Sequence, residues 1–146
     1  MQRRNFIRRA ALTLASAAGA VLGISMLKQI TRGKARSSRR VKVGELSDFP
    51  VDNYTFIEDQ KIFIYRDHEG IKAVSAVCTH LGCIVQHTED GFECPCHGSC
   101  YDEEGEVTSG PAPTALAWYK VEKSADGNFI VDLDQKTEAS EKFRFA

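Results

Sequence analysis

Four of the five cysteines and two of the four histidines in this 146-residue chain fall in two six-residue windows, CTHLGC at 78–83 and CPCHGS at 94–99. Cys78-x-His80 and Cys94-x-x-His97 together offer two thiolates and two imidazoles, with Cys83 and Cys96 left over. Two chemistries accept that donor set. Zinc takes Cys₂His₂ in a closed tetrahedral site and then does structural work. A [2Fe–2S] cluster takes two cysteines on one iron and two histidines on the other, and then moves electrons. The donors alone leave both open.

Both windows need a scaffold that can hold loops at fixed separation. The stretch KIFIYRDHEGIKAVSAVC (61–78) is two β-rich runs around a turn-prone Asp67-His68-Glu69-Gly70, a hairpin signal. AWYKVEKSADGNFIVDL (117–133) repeats the scheme around Asp126-Gly127-Asn128. Downstream of Val41 nothing carries a helical period over a dozen residues. The fold class expected for residues 41–146 is therefore all-β, with the two windows as loops inserted between strands.

The formal charge of −1 hides a split: residues 1–40 hold ten Lys/Arg and no acid, whereas 41–146 hold nine bases against twenty acids, a net −11. Such asymmetry implies different surroundings for the two parts. The basic part does not read as a nucleic-acid arm, because the uncharged AALTLASAAGAVLGISML (10–27) interrupts it. Ahead of that run, Arg3-Arg4-x-Phe6-Ile7-Arg8 in residues 1–9 resembles a twin-arginine export signal, which carries already folded proteins across a membrane. Cleavage after AGA (18–20) would strand VLGISML as an apolar stub. Eighteen apolar residues span roughly 27 Å, enough for a hydrocarbon core. The expectation is an uncleaved transmembrane anchor at 10–27, a basic tether at 28–40, and a domain outside the cytoplasmic membrane, on the periplasmic side. Loop charge does not orient the anchor, since bases flank both ends.

The paired windows, with GPAP at 110–113 and the twin-arginine anchor, resemble the Rieske iron–sulfur protein of cytochrome bc-type quinol oxidases. The resemblance implies an antiparallel β-sandwich with a small cluster-binding subdomain. It implies a [2Fe–2S] cofactor with Cys78 and Cys94 on the inner iron and His80 and His97 on the outer one, each imidazole keeping a second nitrogen toward solvent. It also implies a Cys83–Cys96 disulfide between the loops, worth roughly 3 kcal/mol in the chain-entropy model and suited to an oxidising compartment. Leu81 is similar to the family residue that shields the cluster, Ser99 to a hydroxyl donor to a bridging sulfide, and Tyr101 to a donor to the Cys78 sulfur. Both donors raise the potential, toward the upper half of roughly −150 to +300 mV.

The function so implied is one-electron transfer from quinol, bound with a cytochrome b subunit, to a c-type cytochrome. His80 or His97 would accept the quinol proton, within a dimeric complex in the lipid bilayer. The competing expectation is an electron-transfer subunit of another exported oxidoreductase, of the arsenite oxidase type, without quinol contact. The tether is rich in Ser and Arg, whereas several relatives have an Ala- or Gly-rich hinge. Cys100 reads as a free thiol turned away from the site by strand alternation. His68 and His87 read as surface residues, Trp118 and Tyr119 as core and rim of a strand, and DEEGE (102–106) as a solvated turn.

Overall fold

The computed structural model describes Arg3, Met26 and residues 39–145. The expected export signal and anchor (10–27), and the tether up to residue 38, lie outside these apart from Arg3 and Met26. Among the described residues no helix is long and apolar enough to cross a membrane.

Runs of β-branched and aromatic residues between turn-forming residues become strands. In chain order they are β1 (Arg40–Gly44), β2 (Asn53–Ile57), β3 (Ile62–Arg66), β4 (Gly70–Ser75), β5 (Gln86–Thr88), β6 (Gly91–Cys94), β7 (Ser99–Tyr101), β8 (Val107–Ser109), β9 (Trp118–Lys123), β10 (Phe129–Thr137) and β11 (Phe143–Arg144). Both expected hairpins form, β3–β4 and β9–β10, and every pairing is antiparallel. In the first turn Asp67 accepts the N–H groups of Glu69 (2.8 Å) and Gly70 (2.7 Å). β1 starts inside the stretch read as tether, with Arg40 opposite Asp132.

The base is a seven-stranded sheet in the order β1-β10-β9-β4-β3-β2, with β11 also on β4. The two leaves of the expected sandwich are thus joined edge to edge. The join is narrow: only Ala73↔Tyr119 and Val74↔Trp118 pair β4 with β9. The sheet curls over a core of Phe49, Ile62, Ile64, Ile71, Ala73, Val121, Phe129 and Val131.

A second, four-stranded sheet, β5-β6-β7-β8, carries the site. Its core is Val85, Phe92, Cys78, Cys94, Tyr101, Ala112, Leu116 and Trp118, together with Phe63 and Val74 from the base. The β3–β4 hairpin therefore has both faces buried, Ile62, Ile64 and Ala73 on one and Phe63 and Val74 on the other. This explains its near-continuous apolar sequence, which strands buried on both faces show in place of strict alternation. A ring stack ties the two sheets at the margin, His87 of β5 lying 4.2 Å from Tyr54 of β2 between centroids.

Candidate metal centre

The two windows fold alike. In the first, the Gly82 N–H donates to the Cys78 carbonyl at 3.0 Å; in the second, Gly98 N–H donates to the Cys94 carbonyl at 3.0 Å. Both glycines are left-handed, φ +78° and +69°, a region that costs other L-residues a Cβ clash. Each loop is thus a Cys-x-x-x-Gly turn that returns the chain toward its own first cysteine. The Cys78 N–H also donates to the Cys83 carbonyl (2.8 Å), and a Val77↔Ile84 bridge closes the base of the first loop.

Cys83 and Cys96 form a disulfide between the loops. Cys78, Cys94 and Cys100 remain as thiols. The first two are buried at 2 % and 1 % exposure, whereas His97 on the same loops is exposed and His80 half-buried. The imidazoles stand edge to face, 5.0 Å between centroids and 85° apart. The Cys94 sulfur lies within 4.8 Å of the disulfide sulfurs. A deep thiol end and an open imidazole end result.

Two atoms of these loops, His80 Nδ1 and Ser99 Oγ, are buried with no hydrogen-bond partner among the described residues. Buried polar atoms are seldom left so. A group offering a metal to the imidazole and a sulfur acceptor to the hydroxyl fits both, and the two unspent thiols complete its donor set.

Tyr101 lies behind the thiols, its hydroxyl 3.3 Å from Cys78 Sγ and 3.2 Å from both the backbone N and Oγ1 of Thr79. It accepts the Thr79 N–H. The Thr79 hydroxyl donates to the Thr114 carbonyl at 2.6 Å, so its hydrogen is spent, and the Tyr101 proton points to Cys78 Sγ or Thr79 Oγ1. Burial pushes the Cys78 thiol up, but hydrogen bonds from Tyr101 and the His80 backbone N–H outweigh it and leave the pKa below the ordinary thiol value. Burial and the neighbouring Cys78 push the Tyr101 phenol up.

The 110–113 segment packs against the second loop and the core beneath it. Gly110, at φ +88°, packs so close that a Cβ there would lie 2.5 Å from the Gly98 carbonyl oxygen, and Ala112 is buried against the core that holds both thiols. Leu81 is 70 % exposed at the tip of the first loop. The half-buried Cys100 sits between buried Ser99 and Tyr101 on β7, with its sulfur 3.8 Å from the Gly98 carbonyl. His68 and His87 are exposed, and Trp118 is core, donating Nε1–H to the Glu104 carbonyl at 2.6 Å. All nine residues singled out from the windows and their flank come together here. The reading of the windows missed Thr79 and Thr114, which bind the first loop to the segment after 110–113. A hydroxyl residue directly beside a candidate ligand was the available signal.

The Rieske [2Fe-2S] domain matches residues 39–120. The chain is 36 % identical over 143 residues to a cytochrome b6-f complex iron-sulfur subunit of Chlorobaculum tepidum, covering 90 % of this chain and 76 % of that one. It is 34 % identical over 140 residues to the protein of the same name from Chlorobaculum thiosulfatiphilum, covering 88 % and 75 %. Among solved structures, a cyanobacterial plasma membrane Rieske protein from Synechocystis PCC 6803 aligns at 30 % identity over 63 % of this chain and 98 % of that chain, with a TM-score of 0.48.

Proposed function

This chain belongs to the Rieske [2Fe–2S] family and carries a [2Fe–2S] cluster, and from that premise we propose that it is the electron-transfer subunit of a quinol–cytochrome c oxidoreductase. It takes one electron from quinol held with a cytochrome b subunit and passes it to a c-type cytochrome. The relatives named as cytochrome b6-f subunits over most of both chains support this placement. When bound, the cluster supplies a one-electron couple. Cys78 and Cys94 would hold one iron, and His80 and His97 the other.

The observation that carries the reading is the polarity of the site: thiols sealed in a core, imidazoles at the open end. A donor of both an electron and a proton needs an exposed base next to the redox centre. His97 is exposed and His80 partly so, and either can accept a hydrogen bond from a quinol hydroxyl and hold its proton. Exposed Leu81 supplies an apolar contact beside them for a quinone ring or a partner surface. The disulfide and the Gly82 and Gly98 turns keep the imidazoles at fixed separation. The Tyr101 hydroxyl near Cys78 Sγ favours the more negative, reduced state. Residues 1–27 would export and anchor the chain in a bacterial inner membrane, with this domain on the periplasmic side of a dimeric complex.

Redox titration of the protein purified from solubilised membranes tests this. The midpoint potential should fall with pH somewhere between about pH 6 and 10, approaching roughly 59 mV per unit where one proton accompanies one electron; a flat profile overturns the histidine role. A b-type haem protein should co-purify. Its absence would favour the arsenite oxidase type of assembly.

A further inference from the structure

Beside the first cysteine loop, at the seam between base sheet and site, lies a cavity of about 410 Å³. Its wall holds Arg39, Lys61 and Lys136 and no carboxylate, with Cys78, Thr79 and Thr114 on the side toward the site. Residues 39–145 carry eleven bases against twenty acids, so a wall with three cations and no acid runs against the charge of the rest of the domain.

Three remote parts of the chain bring the cations together, each by a separate backbone device. Lys61 caps a short helical turn in the left-handed conformation, φ 53° and ψ 49°, normally left to glycine or asparagine. Its backbone is pinned both ways, the N–H donating to the Glu58 carbonyl (3.1 Å) and the carbonyl accepting the Ala76 N–H (2.8 Å). Lys136 follows a break in register on β10, where Asp132 pairs with Lys120 but Lys136 already pairs with Tyr119; such bulges re-aim side chains. Asp134, inside that break, accepts the Arg39 backbone N–H at 2.9 Å and binds its Nε at 3.4 Å, leaving both Nη groups for another acceptor. Neither Lys61 nor Lys136 has a carboxylate partner among the described residues.

We propose that this cavity binds a phosphate-type oxyanion, supplied as free phosphate or as a phospholipid headgroup. Two ammonium groups and a guanidinium fork match a polyanionic tetrahedral oxyanion, and the volume leaves room for an ester substituent. The occupant would sit beside Cys78. On the ligation proposed above, it would disfavour the added negative charge of reduction, and by reciprocity reduction would loosen it.

The test uses the full chain, solubilised with its cluster in place. It is titrated calorimetrically with inorganic phosphate at constant ionic strength, and separately with a short-chain phosphatidylglycerol below its micelle concentration. The variants are the double substitution Lys61→Gln/Lys136→Gln and, as a charge control, Lys42→Gln, which removes a cation that is paired with Asp126 and does not line the cavity. The double variant should bind at least about tenfold more weakly and Lys42→Gln less than about twofold more weakly. Saturation with phosphate alone assigns free phosphate, and saturation with the lipid alone assigns the headgroup. No saturation with either, or equal losses in the double variant and the control, overturns the site. A second readout is the midpoint potential with and without the ligand, expected to fall in the wild type and not in the double variant. Binding without that shift refutes the electrostatic link to Cys78 and leaves the cavity assignment standing.

Discussion

The core under the base sheet is built from Phe49, Ile62, Ile64, Ile71, Ala73, Val121, Phe129 and Val131, with no polar side-chain atom among them. The core behind the site contains two cysteines, a tyrosine and a tryptophan, with the orphaned Ser99 hydroxyl beside them. The first is held by area, each such side chain removing apolar surface from water at roughly 25 cal/mol per Å². The second sits in three- and four-residue strands, too short to hold a sheet by their ladder alone. It is held by a disulfide, by left-handed glycines and by a hydroxyl network, and is completed by the cluster. The base can therefore absorb sequence change that keeps volume, whereas the site depends on particular atoms at particular places.

The largest test of that contrast is Phe129→Ala. Phe129 is fully buried between Phe143, Phe145 and the base strands. Its truncation should cost about 3–5 kcal/mol and melt base and site together in calorimetry, because β3–β4 belongs to both cores. A site that outlasts the base would break the comparison, because β3–β4 supports the site as well as the base. Replacing Cys83 and Cys96 by serine removes a clip spanning 13 positions. The expected loss, roughly 3 kcal/mol in the chain-entropy model, should fall on the site alone. The cluster's visible absorption should go while the base keeps its far-ultraviolet β signal.

Tyr101→Phe sharpens the contrast further by leaving volume unchanged. It deletes the hydroxyl near Cys78 Sγ, and the midpoint potential should drop by about 1–2 kcal/mol, roughly 40–90 mV for a one-electron couple, with little change in thermal stability. An unchanged potential would mean that the Tyr101 proton goes to Thr79. The smallest effect belongs to the base hairpin turn. Partial burial pushes the Asp67 carboxyl up, but Lys142 and the N–H groups of Glu69 and Gly70 outweigh it and hold the pKa below the ordinary value. Its contribution is therefore complete above the unfolded value of about 3.9 and is lost as pH falls through the lowered folded value. Asp67→Asn should cost no more than about 1 kcal/mol at neutral pH, with the gap from wild type closing below about pH 4 in denaturant titrations.

Both hairpins were legible because their turns carry Asp and Gly at the places that need them, at 67–70 and 126–128. The two windows stood out because metal chemistry restricts residue type more tightly than packing does. β1 was partly hidden: Arg39 and Arg40 read as tether on composition, and it is pairing with β10 and the partners Asp134 and Glu122, all far along the chain, that draw them into the fold. β11, of two residues, has no period to detect. The joining of the two leaves rests on two residue pairs between β4 and β9, a long-range pairing that local pattern does not encode. Thr79–Thr114 was missed for the same reason, since its partner is a backbone carbonyl 35 positions away.

The doubly covered β3–β4 hairpin bears on how the cell would handle a faulty copy. Were the site sheet to open or fail to assemble, Phe63, Val74 and Trp118, now 6 %, 0 % and 4 % exposed, would face water on an otherwise intact base. Such a surface is what chaperones and proteases grip, so a defect in cofactor loading would mark the chain for disposal without any separate sensor.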